Sequence, residues 1–530
     1  MQILEREKDV NYIIPNSNYN WCLERAIFDE EKIAEAPTWL STVKQEFEIR
    51  KETVDVDVSL FTKEQKMVYD LVTSHSSKQI LLLIIGTAGT GKSFMIHALS
   101  NTLKNSIKVT ATTGVASFNI NGQTLSSLLK LPVRNNNKKP LQGDALAHLQ
   151  KTLKCVKFIV IDEYTMLGCE TFYWVDQRLK QASGKLDEPF GGFSIILVGD
   201  TCQLPPVGDS PLYKPKHKHD SLAGHMLYKL FNTVCKLTQI KRQEGNDLNQ
   251  QKFRDLLLRM RLYDSTNEDV KYLQERSPQN ITVKHNHNFI AQFREKSLHL
   301  FPTKEKVNNF NMERLFNLKD GNNNTMPIAK IEARNTCKNN SFGADDFCGL
   351  TNEVYLARGA KVMLMINLWV EAGLVNGAKG TIVRVVYHDG SQPPDLPIFV
   401  LVQFDNYIGP SFISDISKTV PIIPVTLRDD SGVHERTQLP ICLSWAISIH
   451  KSQGSTLESA CIDIGKKDFA LGLSFVALSR IKSLQNSIIE FIPYKRLVNV
   501  KKSKALLQRE MEEKRLNELC KLFTMSLYEE

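Results

Sequence analysis

The glycine-rich segment GTAGTGKS at residues 86–93 constrains this chain more than any other feature of its sequence. It follows the apolar run ILLLIIG (80–86) and precedes FMIHALSNTL, whose composition is typical of a helix. A strand, a glycine-rich turn and a helix in this order place backbone N–H groups and a helix N-terminus around phosphate oxygens. The segment therefore predicts a binding site for ATP and Mg²⁺.

Individual residues of this loop have separate expected roles. Lys92 is expected to reach the β and γ phosphates, and the hydroxyl of Ser93 to bind Mg²⁺. A glycine loop with a purely structural role is the alternative, but a chance match is only about one in a hundred. The predicted nucleotide-binding set of the loop is Gly86, Gly89, Thr90, Gly91, Lys92 and Ser93.

Short apolar runs alternate with helix-like stretches over the first half of the chain. Buried strands separated by helices predict a parallel sheet covered on both faces, and thus an α/β fold. Because ligands of such folds bind at the carboxyl ends of the strands, we expect the chemistry at one rim. The four runs are ILLLIIG (80–86), IKVTATTG (107–114), KFIVIDE (157–163) and FSIILVGD (193–200).

Two acidic residues end the third of these runs. Asp162 is expected to bind Mg²⁺ from a strand that lies beside the strand of the phosphate loop. Glu163 is placed to orient and deprotonate a water molecule for attack on the γ phosphate. Many strands end in Asp, but downstream of a phosphate loop the pair indicates a hydrolase rather than a small-molecule kinase.

The fourth run leads into GDTCQLPPV (199–207). Asp200 ends a strand at the same rim, and Gln203 can hydrogen-bond both the γ phosphate and the attacking water. The alternative is an Asp-initiated turn that runs into a Pro–Pro segment. The two preceding sites favour the catalytic interpretation.

Composition narrows the class of protein. The apolar runs are shorter than the roughly 20 residues that span a bilayer, and the N-terminus has no secretory signal. The net charge of +9 permits a nucleic-acid partner without demonstrating one. Ten cysteines without a CxxC pair are expected to be reduced thiols, which predicts an intracellular protein.

The pattern changes between residues 356 and 441, where short strand-like runs are joined by Gly, Pro and Asp. They predict a small antiparallel β-barrel that interrupts the α/β domain. Residues 1–57 form an N-terminal extension without a clear motif. Residues 501–530 are expected to form a C-terminal helix that packs against the body.

Several further segments complete an ordered set of motifs. They are ATTGVASFNINGQTL, PFGGFSIILVGDTCQLPPV, IKRQ, GLVNGAKG, SIHKSQGSTLE and FVALSR. Together with the phosphate loop and VIDEYTM, they resemble the PIF-type (petite integration frequency) DNA helicases of superfamily one. The set is particularly similar to the helicase part of Helitron-type transposons, and the resemblance runs from about residue 58 to 495.

The resemblance implies two RecA-like P-loop NTPase domains with ATP in the cleft between them. The first RecA-like domain is expected at 58–235, with a wedge insertion at about 115–152. The second is expected to consist of 236–355 and 442–500, with the β-barrel inserted between these two parts at 356–441. The resemblance also implies translocation 5′ to 3′ on single-stranded DNA and unwinding at forked DNA. The protein is expected to be nuclear and not to bind a membrane. A monomer is favoured, and the pathway (DNA repair, recombination, telomere maintenance, replication or transposition) is left open.

The resemblance also assigns roles to single residues. Gln65 matches an adenine-contacting glutamine, and Gln203 matches the γ-phosphate sensor. Arg242 and Arg480 match arginine fingers, which donate to the transferring phosphoryl group. The segments that contact DNA or couple it to ATP contain Thr112, Thr113, His450, Lys451, Ser452 and Gln453.

Two positions depart from the family pattern. Thr201 stands where the family usually has Phe, and Ser126 where it often has His. Neither change removes a catalytic group, although Ser126 bears on DNA contacts or strand separation. A transposon remnant that binds single strands without productive unwinding, and a motor directed to RNA or RNA–DNA hybrids, remain alternatives.

Overall fold

The computed structural model describes residues 18–47, 56–74, 78–132, 138–243, 245, 247–284, 287–336, 342–429, 432–467, 470–498, 500 and 502–526. The chain divides into two compact units. Residues 1–49 and 305–446 form the first, which we call the β unit. Residues 50–304 and 447–530 form the second, which we call the α/β unit.

The helices and strands are numbered in chain order. The helices are α1 (Cys22–Arg25), α2 (Glu30–Glu46), α3 (Lys63–Thr73), α4 (Lys92–Leu103), α5 (Gly114–Asn119), α6 (Leu125–Leu129), α7 (Gly143–Leu153), α8 (Cys169–Ser183), α9 (His219–Lys229), α10 (Leu248–Arg261), α11 (Asn267–Gln274), α12 (Pro278–Lys284), α13 (His287–Lys296), α14 (Lys304–Phe316), α15 (Leu473–Leu478), α16 (Tyr494–Val498) and α17 (Lys504–Ser526). The strands are β1 (Leu81–Gly86), β2 (Ile107–Ala111), β3 (Gln123–Thr124), β4 (Phe158–Asp162), β5 (Ser194–Gly199), β6 (Thr233–Leu237), β7 (Leu298–Phe301), β8 (Ala329–Glu332), β9 (Arg334–Asn335), β10 (Glu353–Leu356), β11 (Lys361–Leu364), β12 (Lys379–Val386), β13 (Phe399–Phe404), β14 (Thr419–Ile422), β15 (Val425–Arg428), β16 (Glu435–Gln438), β17 (Ile441–Leu443), β18 (Ala446–Ser448), β19 (Ala460–Asp463) and β20 (Ser487–Phe491).

A six-stranded parallel sheet in the order β3-β2-β4-β5-β1-β6 organises the α/β unit. Its central strands are aliphatic and buried nearly end to end, since both faces are covered. Leu83 and Ile85 enter one hydrophobic cluster, while Leu82 and Ile84 enter another on the opposite face. The predicted parallel sheet is confirmed.

The lateral order of this sheet corrects one expectation. The strand that ends in Asp162, β4, does not lie beside the phosphate-loop strand β1, because β5 lies between them and pairs with both. Parallel strands are joined by crossover connections, and these leave the lateral order of the strands open to packing. The predicted rim is nevertheless correct, because β1, β4 and β5 all end at the same edge.

A second sheet of the α/β unit has the order β18-β7-β19-β20, and β7, β19 and β20 run parallel. Strands β19 and β20 are buried over most of their length. The unit thus contains a parallel sheet and a second sheet with three parallel strands, which agrees with the predicted α/β class. Helix α14 and strand β18 cross the limits of the two units.

The β unit is built around an antiparallel sheet in the order β14-β13-β12-β11-β17, with smaller sheets β15-β16-β9 and β10-β8. The rings of Trp21 and Tyr387 lie 5.8 Å apart, and those of Trp39 and Phe412 lie 5.5 Å apart, so the N-terminal helices pack into this unit. The antiparallel insertion is confirmed. Its closure into a barrel and the domain limits stay predictions, and residues 1–17, 133–137 and 527–530 lie outside the described residues.

The C-terminal helix α17 packs on the six-stranded sheet of the α/β unit. Leu516 is fully buried in one of its hydrophobic clusters. The hydroxyl of Tyr228 donates to Glu512 at 2.7 Å, and Lys236 donates to Asn517 at 2.8 Å. The predicted packing of the tail against the body is confirmed. Of the helices in the described ranges, none combines the length and the hydropathy that crossing a bilayer would require.

Candidate nucleotide site

The loop between β1 and α4 depends on its glycines. Gly89 and Gly91 have φ angles of 84° and 80°, in the left-handed region that favours glycine. A Cβ atom on Gly89 would collide with the side chain of Arg242, and one on Gly91 would lie 2.7 Å from Nε2 of Gln65. These two glycines are therefore required by both backbone conformation and space, and they bring Gln65 and Arg242 against the loop.

Lys92 begins α4 and folds back over the loop. Its Nζ donates to the carbonyl oxygens of Gly86 at 2.8 Å and Thr87 at 2.9 Å. The hydroxyl of Thr90 also donates to Thr87, at 2.9 Å. A phosphate oxygen would give the Lys92 ammonium a charge-assisted partner in place of these neutral carbonyls. Gly86 and Thr90 thus shape the loop, while Lys92 can exchange its carbonyl partners for a phosphate oxygen.

The acidic pair lies at the carboxyl end of β4. Glu163 has φ 53° and ψ 41°, a left-handed conformation that costs a non-glycine residue about 1–2 kcal/mol. Its backbone N–H donates to Oδ1 of Asp162 at 2.9 Å. Burial and the neighbouring Glu163 raise the pKa of Asp162 to about 7, although Lys92 opposes the shift. Strained backbone and a raised carboxyl pKa are both typical of a functional site.

The residues around Asp162 fit a magnesium ion. The exposed Ser93 and the buried Asp162 line the same cavity, and they supply a hydroxyl and a carboxylate oxygen. Mg²⁺ usually takes only one or two protein ligands beside phosphate oxygens and water. A metal site formed by protein side chains alone would need more ligands. The described ranges contain no group of three or more His, Cys, Asp or Glu able to hold a metal.

Thr112 and Thr113, both in the predicted DNA segment, hydrogen-bond through their hydroxyls to backbone groups. Thr112 donates from its backbone to the carbonyl of Asp162 at 3.3 Å and from its hydroxyl to the carbonyl of Glu163 at 3.1 Å. The hydroxyl of Thr113 accepts from the backbone of Ala116 at 3.2 Å and caps α5. Thr112 therefore ties the segment after β2 to the backbone of the acidic pair.

Two arginines line the cavity, and both hydrogen-bond to Ser479. Arg480 is 1% exposed, and its guanidinium donates to the carbonyls of Val476 and Ser455 and to the hydroxyl of Ser479. Arg242 is half-buried and donates to the carbonyl of Ser479 at 3.3 Å. Burial and the neighbouring Arg242 lower the pKa of Arg480 to about 9. Among the described residues, no carboxylate forms an ion pair with either guanidinium, so both suit an anionic ligand.

Gln203 is 3% exposed and lies in the turn after β5. Its backbone N–H donates to the carbonyl of Asp200 at 2.9 Å. Its side-chain Oε1 is buried and has no hydrogen-bond partner in the described part of the chain. A buried amide oxygen of this kind calls for a ligand or a water molecule as its donor.

A turn of 3-10 helix, Ile449–Ser452, follows β18 and carries three of the predicted DNA contacts. Lys451 is exposed and His450 is half-buried, and burial lowers the pKa of His450. Ser452 is buried, and its hydroxyl donates to the carbonyl of Ile449 at 2.8 Å. Lys451 and His450 therefore lie on the outer side of the turn, whereas Ser452 stabilises the turn.

Gln453, the next residue, points inward. It is 3% exposed, and its Nε2 donates to Oε2 of Glu163 at 3.2 Å. Its own Oε1 is buried without a hydrogen-bond partner among the residues described. The segment predicted to bind DNA thus touches the residue predicted to activate water.

A cavity of about 240 Å³ joins these groups. All six predicted catalytic residues line it, together with Ser93, Gly89 and Gly91 of the loop. Gln65, Gly86, Thr90, Thr112, Thr113 and residues 450–453 do not line it. The lining is Ala88, Gly89, Gly91, Lys92, Ser93, Phe94, Ala116, Asn119, Asp162, Glu163, Gln203, Lys241, Arg242, Gly454 and Arg480.

Sequence reasoning missed two polar residues of this cavity. Asn119 donates from Nδ2 to the carbonyl of Gly454 at 3.2 Å, across the cavity. Lys241 donates from its backbone to the carbonyl of Gly89 at 2.6 Å. Both residues lie inside motifs noted in the sequence. The amide of Asn119 and the ammonium of Lys241 could have marked them as candidate ligands for phosphate. Gln65 faces Gly91 and accepts from the backbone of Thr62 at 3.0 Å in a capping box, so its contact with adenine stays a prediction.

Known proteins resemble this chain in sequence and in fold. The family model described as PIF1-like helicase matches residues 60–271. The chain is 30% identical to the ATP-dependent DNA helicase PIF1 of Rattus norvegicus over 479 residues, 89% of this chain and 67% of that protein. It is also 30% identical to the protein of that name from Homo sapiens over 473 residues, 87% of this chain and 65% of that protein.

Solved structures agree at the level of the fold. A crystal structure of Bacteroides Pif1 bound to single-stranded DNA matches 86% of this chain and 97% of that chain, with 23% identity and a TM-score of 0.62. Pif1 helicase from Candida albicans matches 86% of this chain and 99% of that chain, with 23% identity and a TM-score of 0.59. This chain spans about two thirds of the rat and human proteins, and the narrower similarity to Helitron-type helicases stays a prediction. On its identity and coverage with the rat protein, and with the site in place, the chain belongs to the PIF1-like helicase family.

Proposed function

We propose that this chain is an ATP-dependent DNA helicase that translocates 5′ to 3′ on single-stranded DNA and unwinds duplex at forks. One observation carries the proposal: a single cavity gathers the phosphate loop, the acidic pair, Gln203 and two arginines without ion-pair partners in the described chain. The names of the rat and human relatives support the same activity. Binding to single-stranded and forked DNA follows from this family membership.

Each group of the cavity has a chemical task in the proposed reaction. Lys92 binds the β and γ phosphates, and Glu163 takes the proton of the attacking water. Gln203 holds that water against the γ phosphate through its amide. Arg242 and Arg480 donate to the transferring phosphoryl group, and their attraction to its negative charge is stronger because the site is buried. Ser93 and Asp162 would hold Mg²⁺, which supplies neutralising charge on the phosphate oxygens.

The single-stranded DNA is expected to bind mainly through the charge of its phosphate backbone, with little dependence on base sequence. Lys451 and His450 lie on the outer side of the 3-10 turn and are proposed to contact it. An intracellular, nuclear location and a monomeric state are proposed on family grounds. The two competing functions are a strand-binding remnant without turnover and a motor directed to RNA or RNA–DNA hybrids.

Turnover measurements separate these functions. ATP hydrolysis is measured alone and with DNA or RNA oligonucleotides, and strand separation is measured on duplexes with 5′ or 3′ tails. The proposal expects hydrolysis stimulated by single-stranded DNA and unwinding of the 5′-tailed duplex. Stimulation by RNA instead of DNA supports the RNA motor, and strand binding without hydrolysis supports the remnant. Unwinding restricted to 3′ tails contradicts the proposed polarity.

Gln453 is expected to couple strand binding to hydrolysis. The side chain of Gln453 is buried against Glu163. The Gln453→Ala variant therefore loses one hydrogen bond to Glu163, the proposed general base, but no surface contact with a DNA strand. We expect the stimulation of ATP turnover by saturating single-stranded DNA to fall about tenfold, the equivalent of one such bond. The affinity for the strand, measured by fluorescence anisotropy, should stay within about twofold.

The matched control for this prediction is Lys451→Ala, two residues away and exposed. It should weaken strand binding and reduce its salt dependence, while stimulation at saturating DNA is kept. A Gln453→Ala protein with weakened strand binding and full stimulation would show that Gln453 is a DNA contact rather than a coupling residue.

A further inference from the structure

The turn that carries Gln203 is held by a buried ion pair outside the cavity. Asp200 is fully buried at the end of β5, and Arg261, the last residue of α10, is 9% exposed. The Nε and Nη2 atoms of Arg261 donate to Oδ1 of Asp200 at 3.0 and 2.8 Å. Both hydrogen bonds end on the same oxygen, so the guanidinium and its charge fix the position of Oδ1.

The carboxylate of Asp200 also organises the turn itself, residues 200–203, which we call the sensor turn. Its Oδ1 accepts from the backbone of Cys202 at 3.1 Å, and its carbonyl accepts from the backbone of Gln203 at 2.9 Å. The side-chain oxygen of Gln203 has no partner among the described residues, so the backbone of the turn decides where this side chain lies. Whatever orients Asp200 therefore orients Gln203.

The C-terminal helix α17 holds the same turn from another side. Glu513 accepts from Nη1 of Arg261 at 3.1 Å and from Nη2 at 3.4 Å. Arg509, one helical turn earlier, donates to the carbonyl of Cys202 at 3.3 Å. Burial opposes ionisation of Asp200, but Arg261 and Lys92 outweigh it and hold the pKa of Asp200 below its ordinary value. Arg261 thus donates to the side chains of both Asp200 and Glu513.

We propose that Arg261 and Glu513 are positioning residues for ATP hydrolysis, which place Gln203 through Asp200 and the sensor turn. The inference rests on the proposed function and adds the C-terminal helix to the machinery of the same site. Neither residue lines the cavity, so neither touches the nucleotide. Their effect falls on the reaction step, since a misplaced amide leaves binding by the phosphate loop unchanged.

The test is Arg261→Gln in the full chain. We expect kcat for ATP to fall about 100-fold, the cost of a misplacement of about 1 Å, with KM within about threefold. The affinity for ADP should be unchanged, while that for ADP with aluminium fluoride, which imitates the transferring phosphoryl group, should fall by a similar factor. The control is Arg259→Gln. Arg259 lies on α10 like Arg261, and its two-bond ion pair is with Asp269 of α11, so the change should alter kcat less than about twofold.

Two milder variants decide the matter if Arg261→Gln does not fold. Glu513→Gln keeps the shape of a side chain that is 12% exposed, and its kcat should fall about fivefold with ADP affinity kept. Arg261→Lys keeps the charge without the two-bond geometry, and it should recover part of the loss. Unchanged kcat in these variants, or equal losses of kcat and ADP affinity, overturns the inference. A wild-type chain without ATP turnover defeats the proposed function instead.

Discussion

Glu163→Gln is expected to lower DNA-stimulated ATP turnover about 1,000-fold, within the range that a general base contributes. The change replaces one carboxylate oxygen by an amide of nearly the same shape, so the left-handed backbone and the Gln453 contact need not move. Nucleotide binding should persist, because Lys92 and the phosphate loop are untouched. The measurement is single-turnover hydrolysis beside binding of a fluorescent ATP analogue.

The control for this variant is Glu170→Gln. Glu170 lies on α8, pairs with Lys138 at 2.7 Å and does not line the cavity, so turnover should change less than about twofold. Lys92→Ala is the informative contrast, since it should abolish turnover and unwinding through loss of phosphate binding. Retention of more than about a tenth of the turnover by Glu163→Gln would show that another group activates the water.

The strands and the edge that carries the site could be predicted from the sequence because their causes are local. Aliphatic runs flanked by turns become buried strands, and a glycine loop between strand and helix has few other solutions. Lys92, Asp162, Glu163 and Gln203 follow directly from strand ends, so their meeting in one cavity needed only a parallel sheet. The motifs in which these four residues stand were therefore enough to locate them.

The remaining features depend on packing between distant segments. The insertion of β5 between β1 and β4 is decided by which sheet faces the helices can cover. Arg261 reaches Asp200 across 61 residues and Glu513 across 252, and no periodicity in the sequence links such positions. Gln453 illustrates the same limit, since its family segment suggested DNA, while its buried side chain contacts Glu163.

Arg480 presents the sharpest conflict between stability and activity in the molecule. Its guanidinium is 1% exposed and hydrogen-bonds only to neutral oxygens among the described residues, with Arg242 nearby. Burial lowers the pKa of Arg480 to about 9, so at neutral pH the guanidinium stays charged at a cost to the stability of the folded chain, and this cost fades only as the pH rises above about 9. A buried cation without an ion-pair partner destabilises the folded protein. This arrangement benefits the protein only when an anionic ligand binds beside the cation.

Arg480→Met is therefore expected to lower kcat for ATP at least about 1,000-fold, the low end for loss of an arginine finger. The melting temperature of the nucleotide-free protein should stay equal or rise, because a similar apolar volume replaces a disfavoured charge. Arg480→Lys should not restore turnover, since an ammonium cannot reproduce the planar fork. Stopped-flow hydrolysis and thermal unfolding at pH 7 check the two halves. A large fall in melting temperature would mean that Arg480 is held for stability, and that the lost turnover reflects a damaged fold.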